Sequence, residues 1–184
     1  MSVTVSPSTF QFVAFDAALI ERITRTLVEA LGIEQDVTIE VDETTPLARL
    51  RVETGDSIVV HAESGAFEDT RRPRQQSETA TATAIGRVLL RAQDRLSGGF
   101  GEAPPDDQLS LAQVAAWETY CVGRIERLGI DVNQQRWRYN FRNRHGFTDH
   151  GDAAFDRIWS SDGLTWAELD QLSRSATTAV PATS

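Results

Sequence analysis

Between residues 37 and 62 apolar side chains recur at every second position, a period of two that suits a half-buried strand and not a helix. Val37, Ile39 and Val41 form one run, Ala48, Leu50 and Val52 a second, and Ile58, Val59 and Val60 a continuous third. Turn residues separate them at Glu43-Thr44-Thr45-Pro46 and Thr54-Gly55-Asp56. The spacing predicts an antiparallel meander over 36–62, with Glu40 and Asp42 facing Arg49 and Arg51 across the strands.

Helical periods flank this block. Leu19, Ile20, Ile23, Leu27, Val28 and Leu31 share one face of a helix over 16–31, with Asp16 as its N-cap and Gly32 as its stop. A second helix is expected over 78–96 behind Ser77. A third starts at Ser110 and Gln113, a capping box, and turns Val114, Trp117, Cys121, Ile125 and Leu128 inward. Short helices follow over 149–159 and from Thr165, where Glu168 completes another capping box. Residues 136–142, Arg-Trp-Arg-Tyr-Asn-Phe-Arg, set an aromatic ring at every second position and are available as a fourth strand, with Trp137, Tyr139 and Phe141 on the core side. The fold class is therefore α+β: a three- or four-stranded antiparallel sheet covered by about five helices.

A chain of 184 residues buries enough surface to fold without disulfides or metal, and its single cysteine forbids an internal bridge. One domain is expected over 10–173, with a frayed start at 1–9 and a disordered tail at 174–184. With no apolar run long enough for a membrane span and no secretory start, the expected compartment is the cytoplasm.

Charge is the strongest functional lead. All 18 basic residues are Arg, against 27 acids, for a net charge of −9. Two segments oppose that balance. Residues 71–95 and residues 124–145 each hold six Arg and two acids, and the remainder is strongly acidic. Arg71, Arg72 and Arg74 sit in a long connection before the second helix, on which Arg87, Arg91 and Arg95 recur every four residues. Arg138, Arg142 and Arg144 belong to the second segment. Guanidinium forks bind carboxylate or phosphate bidentately, so these nine residues are the candidate ligand-binding set for an acidic protein or a small anion. A solvated helix face whose Arg stems cover apolar surface is the plainer reading of the stripe. The acidic body and the separation of rings from cations on opposite faces of a strand disfavour nucleic acid.

The reading that follows is a non-enzymatic interaction module. Its alternative is a metal-dependent, hydrolase-like enzyme using a divalent transition metal at His145, Asp149, His150 and Asp152, four donors within eight residues. Helix capping by Thr148 or Asp149 accounts for part of that cluster. No zinc-protease helix, phosphate loop or nucleophile elbow occurs in the sequence, and Cys121 reads as a packed core thiol. Oligomeric state is not encoded in any pattern found.

Overall fold

The computed structural model describes residues 1–177. Its elements begin with β1 (Val3–Ser6), α1 (Ala17–Leu31), β2 (Asp36–Asp42), β3 (Leu50–Thr54) and β4 (Ser57–Glu63), followed by the short pair β5 (Glu68–Asp69) and β6 (Arg72–Gln76) and by α2 (Glu78–Leu96). After these come α3 (Leu111–Arg127), α4 (Gln134–His145), α5 (Asp149–Ser160) and α6 (Trp166–Thr177). The chain divides into two units, Met1–Leu96 and Ser97–Ser184.

The first unit is α+β, but its sheet is mixed and mostly parallel, which overturns the antiparallel meander. Strand order is β1-β2-β4-β3, with β1 and β4 parallel to β2 and only β3 antiparallel to β4. Burial explains the order. β2 buries Val37, Ile39 and Val41, and β4 buries Ile58, Val60 and Ala62, so these two strands take the centre. β3 has no fully buried side chain and lies at the edge, held to β4 by the tight turn at Gly55-Asp56. Glu40 and Arg51 consequently do not face each other; both are in register with His61, which lies between them. Residues 3–6, within the stretch expected to fray, form β1, because Val3 and Val5 extend the same alternation beside β2. The expected tail 174–184 begins inside α6, and its last seven positions lie outside the described residues.

Helices α1 and α2 pack on each other and on the sheet. Asp16 accepts a hydrogen bond from the Ala18 amide, and Gly32 closes α1 at φ 65°, a left-handed conformation that glycine adopts without a Cβ penalty. Ile20, Val28, Ile39, Val60 and Leu89 are fully buried, and each contributes about 1.5–3 kcal/mol relative to solvent exposure.

The second unit is helical. Residues 136–142 lie within α4 and are not a fourth strand. Asn133 caps this helix by accepting from the Arg136 amide at 3.0 Å, and the helix carries Phe141 into the core and Tyr139 to the outside. Rings at every second position fit a helix as well as a strand once only one of them needs full burial. Six α-helices are present among the described residues where about five were expected, the extra one being α4. The core stacks Phe100 on Trp117 with ring centroids 5.0 Å apart, and Phe155 on Trp159 at 5.3 Å. Cys121 is buried, and Leu128, expected to face inward, is exposed. No helix among the described residues is long and apolar enough to cross a membrane.

Candidate functional site

Four chain segments of the first unit, 11–16, 42–46, 64–68 and 74–76, are tied together by hydrogen bonds to their backbones. Glu43, just beyond β2, accepts from the amides of Gln11 and Phe12 through one carboxylate oxygen, at 2.7 and 2.6 Å. Asp42 orders the same connection by accepting from the Thr44 amide and from the hydroxyls of Thr44 and Thr45. The Thr45 carbonyl then accepts from both the amide and the hydroxyl of buried Ser64, each at 3.1 Å. Gly65 lets these strands of chain close up, since a Cβ there would stand 2.3 Å from the Pro46 carbonyl oxygen. On the other side, the Ala14 amide donates to the Arg74 carbonyl at 2.8 Å, and the Asp16 amide donates to the Gln76 side chain at 2.8 Å.

These ties enclose a cleft of about 350 Å³, within the size range of small-molecule sites. Its walls are apolar at Phe12, Val13, Pro46 and Pro73, and polar at Thr44, Ser64, Glu43, Glu68 and Arg74. Arg74 has φ 62°, the one positive φ outside glycine among the described residues. That conformation costs about 1 kcal/mol or more for a residue with a Cβ and concentrates at functional sites. The Arg74 guanidinium is exposed and makes no hydrogen bond or ion pair with a described residue.

The nine candidate arginines do not form one patch. Arg71 and Arg74 project from the β5–β6 hairpin, whereas Arg72 folds back onto Asp69, Nε to Oδ2 at 2.9 Å. The Asp69 carboxyl is held below its usual pKa, first by the Arg71 amide and then by the Arg72 side chain. Arg87, Arg91 and Arg95 are half-buried along α2. In the second unit Arg138 lies over the Phe155 ring at 4.3 Å and pairs with Asp156 and Asp152. Arg142 grips Asp152 with both fork nitrogens, at 2.7 and 2.6 Å. That grip lowers the Asp152 pKa and raises that of Arg142. Arg144 is exposed and lines a groove of about 320 Å³ with Leu111, Val114, Asn140 and Asn143.

The four candidate metal donors are likewise dispersed. His145 is 5% exposed; its Nδ1 lies 3.1 Å from the Phe141 carbonyl and its Nε2 2.9 Å from the Ser173 hydroxyl. Because a carbonyl only accepts, Nδ1 carries the proton and Ser173 donates to Nε2. Burial lowers the His145 pKa, opposed by the Phe141 carbonyl. A hydroxyl on an imidazole is the pairing that activates nucleophiles, but Ser173 is only 2% exposed and among the described residues a backbone carbonyl, not a carboxylate, holds the other ring nitrogen, so the contact ties α4 to α6. Asp152 is engaged by arginine, Asp149 and His150 are exposed in the first turn of α5, and Thr148 caps that helix through the Gly151 amide. Among the described residues no group of three His, Cys, Asp or Glu side chains is placed to hold a metal ion.

Sequence reasoning missed most of the cleft. Phe12, Glu43 and the neighbours Ser64 and Glu68 come from three separate segments with no shared motif, and the left-handed backbone at Arg74 has no marker in an Arg-Pro-Arg string. It also missed the outward face of α4. In a helix Arg136, Tyr139, Asn140, Asn143 and Arg144 share one side, whereas a strand would have divided rings from cations, and Phe147, just past the helix end, lies against Tyr139. Tyr139 and Phe147, 57% and 62% exposed, meet edge to face at 5.8 Å.

Comparison with known proteins finds no matching family model, no matching curated protein and no matching solved structure.

Proposed function

We propose that this protein is a non-enzymatic binding module whose first unit holds a small anionic ligand in the cleft beside Arg74. The supporting observation is the state of that residue. Arg74 lines the cleft, its side chain makes no ion pair with a described residue, and its backbone is kept in place by the Ala14–Arg74 hydrogen bond. A guanidinium with no internal partner gives up none on meeting an anion, and its fork suits carboxylate or phosphate. Arg72, already committed to Asp69, serves as the internal control. Calorimetric titration with isocaproate and with phosphate tests the reading: Arg74→Gln abolishes the response and Arg72→Gln preserves it. Equal binding by Arg74→Gln overturns it.

A second reading, favoured by Arg136, Tyr139 and Arg144 on one face of α4 and Phe147 against Tyr139, gives that face an acidic protein segment as partner. Tyr and Arg are the residues that anchor interfaces. A poly-glutamate peptide is then expected to shift the amide resonances of α4, and the double variant Arg136→Gln/Arg144→Gln to remove the effect. Unchanged shifts in that variant count against it.

A further inference from the structure

The cleft holds one cation, but also two carboxylates, Glu43 and Glu68. An anion drawn to Arg74 alone meets the repulsion of both carboxylates lining the same cleft. A ligand that answers all three charges therefore carries a positive group as well as a negative one. Resting on the anion-binding reading above, we infer that the cleft takes a zwitterion, a free α-amino acid with an apolar side chain, its carboxylate on Arg74 and its ammonium on Glu68.

The two carboxylates are not equivalent. Glu43 already accepts two amides on one oxygen and holds segment 11–12 in place. Glu68 is half-buried, and its side chain accepts from the Ser64 hydroxyl at 3.3 Å, a long hydrogen bond that leaves acceptor capacity for an ammonium group. Glu68 pairs across the hairpin with Gln76, and Arg74 lies in the irregular stretch between that pairing and the next, Asp69 with Arg72. Both residues line the cleft, which therefore offers an acceptor and a guanidinium to one small molecule. The apolar walls, Phe12, Val13, Pro46 and Pro73, supply the remaining surface, and about 350 Å³ admits an amino acid of leucine or phenylalanine size.

Three ligands of one carbon skeleton separate the charges: L-leucine, isocaproate, which lacks the amine, and leucinamide, which lacks the carboxylate. Titrated into the full chain, leucine is expected to bind about tenfold tighter than either, the effect of one added charge-assisted hydrogen bond. Glu68→Gln is expected to bring leucine down to the level of isocaproate, and Arg74→Gln to abolish binding of both, with thermal melts showing that each variant folds. Isocaproate binding as tightly as leucine overturns the zwitterion and leaves the anion reading standing. So does binding of isocaproate or phosphate when leucine and L-phenylalanine fail. Silence from every ligand overturns both.

Discussion

Gly65 lies against the Pro46 carbonyl so closely that a single added carbon would stand 2.3 Å from its oxygen. The cleft depends on that approach, because Pro46 forms one wall while Ser64 and Glu68 flank Gly65 on another. Gly65→Ala is therefore expected to push the two segments apart. We expect a loss of about 1–3 kcal/mol in urea denaturation, the cost of overpacking a fixed backbone, together with loss of ligand response.

Arg74 makes the opposite prediction for stability. Its left-handed backbone suits glycine better, so Arg74→Gly is expected to stabilise the fold by about 1 kcal/mol while removing ligand binding. Chemical denaturation read alongside titration checks both halves. A destabilised variant would show that the Arg74 side chain contributes packing the φ angle does not reveal.

Gly123 in α3 faces the Trp159 carbonyl of α5, and a Cβ there would stand 2.1 Å from the oxygen. Arg127 donates to the same carbonyl at 2.6 Å, so that oxygen has no freedom to retreat. Gly123→Ala is expected to cost about 3 kcal/mol, since neither backbone yields cheaply. Tryptophan fluorescence during unfolding provides the measurement.

Protonation of His145 should destabilise the second unit. Its folded pKa lies below the usual value near 6.5, so on acidification the unfolded chain takes up the proton first. The contribution is complete above about pH 6.5 and falls as pH drops below it, until the lowered folded pKa is reached. His145→Gln should flatten that slope in denaturation curves taken across pH. Ser173→Ala is expected to cost about 1–2 kcal/mol by leaving the buried Nε2 without its donor.

Asp152 acts in a lower window. The Arg142 fork depresses its pKa below the usual value of about 3.9. Its stabilisation is present above that value and is lost as pH falls through the depressed one. Asp152→Asn is expected to remove this acid limb and to leave the limb due to His145 intact; a single shared shift would show that the two are coupled.

Local signals were legible before any coordinates. Asp16, the Ser110–Gln113 box and Thr148 cap the helices their sequences announce, because a cap involves neighbours only a few residues away. Pairing partners were not. The alternation in Val37–Val41 states that one face is buried but says nothing of which strand lies alongside, and β4 came between β2 and β3. The ring spacing in α4 satisfied two periods at once, and packing of Phe141 chose between them. Three of the nine candidate arginines, Arg72, Arg138 and Arg142, are held by acids in the folded chain, one nearby in sequence and the others ten or more residues away.

The parallel contact of β2 with β4 also bears on how the chain reaches its folded state. The β3–β4 hairpin closes over a short loop, whereas β2 meets both of its neighbours, β1 and β4, only in parallel across longer connections. Until those pairings form, the backbone of β2 offers open strand edges to any other molecule in the same condition. Refolding yield should therefore fall as protein concentration rises, with aggregates that incorporate β2 before they incorporate the helices of the second unit.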